Sequence, residues 1–289
     1  MAKVPLKKPK TFDEQIELLE SRGLLIEDKI KTKFILQNIN YYRFTAYLIN
    51  FKNEDDSYVE GTTFNEVYSL YKFDKRLRIL LIDLLSTIEI SFRTYIAYTL
   101  AVNHGEDSYL DRNNFKNKDI HNTFICYFEN EKIKNKDKEF IKHHYGVYEG
   151  KLPVWVAVEI ITFGNLVKLY GNLLAEDVNF IKNNFCNVNN TLLSSWLNSM
   201  CMLRNHCAHY GRIYNRNFPM IKIKNTHKKH KLKNTKIFAY ILAMKYLIAD
   251  SEIWNNFLIN LKELINNYID FLDLNLIGFP DNWEQILSE

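Results

Sequence analysis

The chain has 289 residues, 47% hydrophobic and 25% charged, enough apolar material to bury one large or two small cores without help from disulfides. Its four cysteines, Cys126, Cys186, Cys201 and Cys207, form no CxxC pair, and the lysine-rich start lacks the apolar centre of a secretory signal; both speak against a secreted disulfide scaffold and for a reducing cytoplasm. The formal charge is +4, but the stretch between Asp177 and Asp250 holds no acidic residue and carries +12, leaving −8 for the rest, an asymmetry that suits a polyanionic partner such as RNA.

Residues 1–60 read as an N-terminal helical extension. A basic arm occupies residues 1–10. Thr11 then caps a helix with Glu14 three residues on, the spacing of a capping box, and Gly23 ends it. A second helix from Asp28 carries Ile30, Phe34, Ile35 and Ile39 into Asn40-Tyr41-Tyr42-Arg43, whose tyrosines suit a core edge or a stacking surface. The polar residues 53–63, with Gly61, form a loop.

From Thr63 the apolar residues repeat at three and four: Phe64, Val67, Tyr68, Tyr71, then Leu77, Leu80, Leu81, Leu84, Leu85 and Ile88, as one long helix or two. On its far part Glu89 and Arg93 stand at i and i+4, a surface ion pair by default or, inside an apolar helix, support for a site. Residues 103–139 read as a loop with at most one short helix. Trp155 to Phe163 reads as a buried helix ending near Gly164, and shorter helices follow over 166–174 and 178–185. Leu192, Leu193, Trp196, Leu197, Met200 and Leu203 give a further helix with one face in the core. Residues 212–236 are a long basic loop; the helical period returns over 237–248 and 253–274. The apolar run 237–249 is too short to span a bilayer. Residues 251–289 form a C-terminal helix and a tail docking Phe279 and Trp283. Almost nothing alternates with period two, so the fold class is all-α, with a helical core over residues 61–250.

Chemistry concentrates at Arg204-Asn205-His206-Cys207-Ala208-His209-Tyr210. An arginine clamps phosphate through two parallel hydrogen bonds and a histidine moves protons near neutrality. For RNA, whose 2′-hydroxyl lies beside its own phosphate, these two are a minimal kit for cleavage without a metal. The candidates are Arg204 for the phosphate, His209 for the proton and Asn205, at i−4 from His209, to hold the imidazole; His206, Tyr210, Glu89 and Arg93 are auxiliary. The Arg-x4-His spacing alone is near what chance supplies. On a straight helix the two side chains point roughly 140° apart, so the helix must change at this point or a second copy of the chain must supply one of them. Arg212, Arg216, Lys222, Lys224, Lys228, Lys229, Lys231, Lys233 and Lys236 are the candidate RNA-binding residues. The possible zinc ligands Cys201, His206, Cys207 and His209 match no common zinc spacing, and His143-His144 and His227-x2-His230 suit a surface or a phosphate contact. Neither a metal nor another cofactor is expected.

Arg204-Asn205-His206-Cys207-Ala208-His209, continuing to Arg212-Ile213-Tyr214-Asn215-Arg216, resembles the signature of the Abi-like abortive-infection family of bacteria, the AbiD/AbiF group. Asn40-Tyr41-Tyr42-Arg43, Tyr71-Lys72-Phe73-Asp74 with Arg76-Leu77-Arg78, Ile88-Glu89-Ile90 with Arg93, and Pro153-Val154-Trp155-Val156 leading to Phe163-Gly164 resemble its other blocks, in the same order. The resemblance implies a HEPN-like helical bundle, a composite RNase site built from two copies of the motif and hence a homodimer, a role in phage defence, and for some members a small structured RNA that restrains them. One departure is Tyr210, where the family often has a second histidine. Two other functions fit the same residues: a non-catalytic protein that holds a structured RNA, and a protein-interaction scaffold that senses phage components.

Overall fold

The computed structural model describes Leu6 and Lys8–Glu289, so the basic arm expected over residues 1–10 lies mostly outside the described residues. Among these, every regular element is a helix, and extended backbone pairs only at isolated bridges, Leu25–Thr63, Lys52–Tyr58 and Phe115–Leu173. The fold is all-α. The chain divides into two compact units, one running to Leu77 and taking in Leu261–Asp273, the other comprising Arg78–Asn260 and Leu274–Glu289.

In the first unit, α1 (Phe12–Ser21) starts at Thr11, whose side chain accepts from the Glu14 amide while the Glu14 carboxylate accepts from the Thr11 amide. This is the expected capping box. Gly23 (φ +91°) ends the helix in the left-handed conformation that suits glycine. α2 (Lys29–Asn38) packs on α1 through Ile16, Leu19, Ile35 and Leu36, and exposed Lys29–Glu20 and Lys33–Asp13 pairs span the two helices. α3 (Tyr41–Thr45) buries Phe44, stacked 4.4 Å from Phe64, and leaves Tyr42 on the surface. The Tyr47 hydroxyl donates to the buried Asp74 at 2.6 Å.

Phe64–His104 is one uninterrupted helix, α4, opened by a second capping box between Thr63 and Glu66. Its residues from Arg78 onward belong to the second unit, where Leu81, Leu84, Leu85, Ile88, Phe92 and Ile96 form the buried stripe that the periodicity predicts. α5 (Lys118–Lys134) is a full helix where the sequence suggests mostly loop. Only His121, Phe124 and Phe128 are buried on it, a stripe too narrow to dominate its polar composition. α6 (Glu139–Val147) follows. α7 (Val154–Ile160) stops earlier than expected because Thr162 caps a new helix, α8 (Phe163–Asn172), placing Gly164 inside a helix rather than after one. α9 is Ala175–Ile181.

α10 (Asn190–Ala208) is capped by Asn189 and buries Leu193, Trp196, Leu197, Met200, Leu203 and Cys207. It packs on α8 and on α11 (Ile237–Lys245), whose residues from Ile237 to Met244 are all buried. Of these, each Ile, Leu, Phe and Met side chain contributes about 1.5–3 kcal/mol by leaving water. α12 (Ser251–Asn266) is shorter than its apolar period and gives way to 3₁₀ turns at Ile269–Phe271 and Leu274–Ile277. The tail docks as expected: Phe279 meets Phe238 at 4.9 Å, and α13 (Trp283–Ser288) accepts the Trp254 indole N–H at the Leu287 carbonyl. No helix among the described residues is long and apolar enough to cross a membrane.

Candidate functional site

The C-terminal end of α10 carries the Arg204–Tyr210 stretch, and it ends in a closed cap. The Gly211 amide donates to the His206 carbonyl at 2.9 Å and the Tyr210 amide to the Cys207 carbonyl at 3.0 Å. Tyr210 has φ +59°, so this is a Schellman cap with tyrosine in the left-handed position, where glycine is usual. The helix runs regularly through Ala208, and His209, the capping residue, still donates its amide to the Asn205 carbonyl at 3.0 Å, so the side chains of Arg204 and His209 leave it on different sides.

Three residues of α4 converge on this end. Arg78, buried, donates to the Gly211 carbonyl at 3.2 Å. Eleven residues on, about three turns and so on the same face, Glu89 lies buried between two guanidiniums. Its Oε1 accepts from Arg93 Nη2 at 2.6 Å and its Oε2 lies 3.3 Å from Arg204 Nε. Arg93 is itself 9% exposed and donates through Nη1 to the Val158 carbonyl of α7. The auxiliary pair Glu89–Arg93 is thus not a surface ion pair but the seat of Arg204. One carboxylate between two guanidiniums leaves a net charge of +1, and the α10 carbonyl terminus favours that sign.

The Arg204 side chain is 43% exposed, with Nε on Glu89 and Nη1 3.3 Å from Asn205 Oδ1. This is a cation oriented from behind and open in front. Asn205 supports the arginine here and not, as the i, i+4 spacing suggests, the His209 imidazole, because the guanidinium offers a charge-assisted donor. His209 is exposed and bonded through its backbone N–H alone among the described residues. His206 differs: its Nε2 bonds the Arg212 carbonyl at 2.9 Å and its ring meets Phe218 edge-on at 5.4 Å. A Cβ on Gly211 would fall 2.1 Å from the His206 ring, so glycine is required there by contact. Of the two histidines, His206 holds the chain turn and His209 is exposed to solvent. Cys201, one turn before, has its thiol pushed up by burial and by Glu89. Cys207 is buried, and these two cysteines do not converge with His206 and His209 on a metal-sized space.

The long basic segment is an ordered loop. Ile213, Tyr214, Phe218 and Ile221 are buried, and the Phe218 and Ile221 amides donate to the Thr235 and Asn234 carbonyls. The structure splits its cations into two groups. Arg212, Lys233 and Lys236 lie together, where burial first and then these neighbours push the Lys236 ammonium down. Lys236 also reaches Asn215 at 3.3 Å, and the Arg216 guanidinium covers the Phe218 ring. Lys222, Lys224 and Lys228 line an open groove of about 970 Å³ with Asn189, Thr191 and Ser195 at the other end of α10. Ser195 and Arg204 are roughly 14 Å apart along the helix axis. Trp196 fixes this rim by donating to the Lys222 carbonyl at 2.6 Å, and the Lys224 ammonium stands 3.8 Å from the Tyr246 ring centre. Lys229 and Lys231 are exposed.

Arg78 and the α10 side of the groove are not among the residues singled out from the sequence. For the first, the available signal was an arginine inside the apolar period of α4, in the Arg76-Leu77-Arg78 block; the second is a matter of tertiary contact. His143 and His144 lie on α6, where His144 Nδ1 is bonded to the Phe140 carbonyl of its own helix. His227, by contrast, is 4% exposed and is no surface residue.

Searches of the curated proteins and of the solved structures return no match. A family model described as Abi-like protein matches residues 34–215, more than half of the chain. The matched segment holds Arg78, Glu89, Arg93 and the whole Arg204–Arg212 stretch, together with the first residues of the basic loop. The chain belongs to the Abi-like protein family.

Proposed function

We propose that this protein is a metal-independent endoribonuclease of HEPN type that acts in phage defence, cutting RNA by attack of a 2′-hydroxyl on its own phosphate. The observation that carries the reading is the seating of Arg204: a half-exposed guanidinium held by the buried Glu89 carboxylate, with an exposed histidine at the end of the same helix. In this reading Arg204 binds the scissile phosphate and stabilises the charge that grows on it, and His209 transfers the proton. Asn205 positions the guanidinium. The Arg204 and His209 side chains leave a regular α10 roughly 140° apart, which favours a site completed by the motif of a second protomer. Membership of the Abi-like family supports the defence role.

Cleavage should proceed with no divalent ion added and leave 2′,3′-cyclic phosphate ends. Arg204→Ala and His209→Ala should each abolish it, and a mixture of the two inactive proteins should regain activity if each protomer supplies one of the two groups. Unchanged cleavage and toxicity in both single variants would overturn the site.

A second reading is favoured by the lysine-lined groove at the start of α10. There the protein holds a small structured RNA without cutting it, or is restrained by it. Purified protein that carries a defined RNA, releases it with rising salt and cleaves no RNA would establish this reading over the first.

A further inference from the structure

Outside the Arg204 site, one group of side chains among the described residues brings potential ligand atoms together within a metal-sized space. His227 and His230 lie on the 3₁₀ helix Asn225–His230. That helix repeats every three residues, so side chains at i and i+3 eclipse. Their rings stand 5.9 Å apart and 30° from parallel. The carboxylate of Glu289, which caps α13, completes the group. One donor atom from each of the three lies within 4.8 Å of the others.

The hydrogen bonding shows which ring atoms are available. His227, 4% exposed, engages the Tyr246 hydroxyl through Nε2, and its Nδ1 is buried without a hydrogen-bond partner. His230 Nε2 is likewise buried without one. Two buried imidazole nitrogens with no partner are unusual, because each forfeits its hydrogen bond to water. The Tyr246 contact is what a metal-bound imidazole requires, since a ligating histidine gives its other ring nitrogen to a fixed partner that sets the ring's orientation. Two cations stand nearby: Lys224 acts electrostatically on His227, and the Lys245 ammonium, itself buried without a hydrogen-bond partner, acts on both His227 and Glu289.

We infer that His227 Nδ1, His230 Nε2 and the Glu289 carboxylate bind a zinc-type divalent cation that fastens the basic loop to the C-terminal helix. Two imidazoles and one carboxylate are a recognised zinc donor set with a fourth position left for water. The ion would have a structural effect, holding the Lys228-bearing turn and its groove in one place. It rests on no part of the nuclease reading.

The test uses the full chain, freed of metal by dialysis against a chelator, and titrated with zinc chloride against a chromogenic competitor. One zinc per chain is expected, with a higher Tm in its presence and, on cobalt substitution, the visible absorption of a four-coordinate ion. His230→Asn and Glu289→Gln change partly or fully exposed side chains and should each weaken binding at least about tenfold. Lys245→Met removes one of the neighbouring positive charges and should tighten it. Circular dichroism on each variant separates lost binding from lost folding. Binding of no stoichiometric zinc by wild type, or zinc affinity unchanged in folded His230→Asn, overturns the assignment.

Discussion

Replacing Glu89 by glutamine keeps the side-chain shape and removes the charge shared by two guanidiniums. Arg93 is the more deeply placed, 9% exposed with Nη2 2.6 Å from Glu89 Oε1. Arg204 is 43% exposed with Nε 3.3 Å from Oε2. Neutralising one partner of a buried pair costs about 3–5 kcal/mol, whereas the solvent-screened share of Arg204 adds no more than about 1 kcal/mol. Arg93 keeps the Val158 carbonyl, so the lower end applies, near 3 kcal/mol. At about 2–4 °C per kcal/mol for a chain of this size, Tm should fall by on the order of 10 °C. Arg204→Ala leaves Glu89 paired with Arg93, so its stability loss should stay near 1 kcal/mol while RNA cleavage disappears. Calorimetry and a fluorogenic RNA assay on both variants separate the two effects. The double variant should be little worse than Glu89→Gln, since removing Arg204 also removes one uncompensated charge. A Glu89→Gln protein that melts within about 1 °C of wild type, well below the shift expected from a buried pair, would show that this carboxylate does not hold the two guanidiniums in place.

The same geometry makes four further predictions. Gly211→Ala places a methyl against the His206 ring and should cost about 1–3 kcal/mol, with the ring leaving the Arg212 carbonyl; thermal melts check it. His206→Ala should lower stability by about 1–2 kcal/mol, while His209→Ala, at an exposed position, should stay within about 0.5 kcal/mol of wild type and still lose cleavage; the reverse pattern would exchange their roles. Lys222→Glu with Lys228→Glu, both on the groove, should weaken RNA binding and flatten its salt dependence by roughly 0.7–0.9 log units per lost phosphate contact, measured by fluorescence anisotropy across a salt series. Burial pushes the Cys186 thiol up to about 12, so only about one part in ten thousand is thiolate at pH 8. Exposed Cys126 should therefore be alkylated first at that pH, and Cys186 should react only as pH climbs toward its raised pKa; peptide mapping after iodoacetamide treatment reads both.

Much of the fold is written locally. An amphipathic helix carries its own period, so the α4 stripe and the α10 face from Leu193 to Leu203 could be read directly, and the Thr11–Glu14 capping box is a matter of adjacent residues. So could the place of Arg204 and His209 at a helix end, since the apolar period stops at Leu203 and Gly211 follows. Where the apolar stripe is narrow, as with His121, Phe124 and Phe128 on α5, composition hides the helix. Periodicity says which face of a helix is buried and nothing of what it meets. The Glu89–Arg204 ion pair, the Arg78 bond to Gly211, the division of labour between His206 and His209, the two separate groups of loop cations and the burial of His227 all depend on contacts between distant parts of the chain. They exist only once α4, α10 and the basic loop pack, because burial and hydrogen-bond partners are properties of the assembled core.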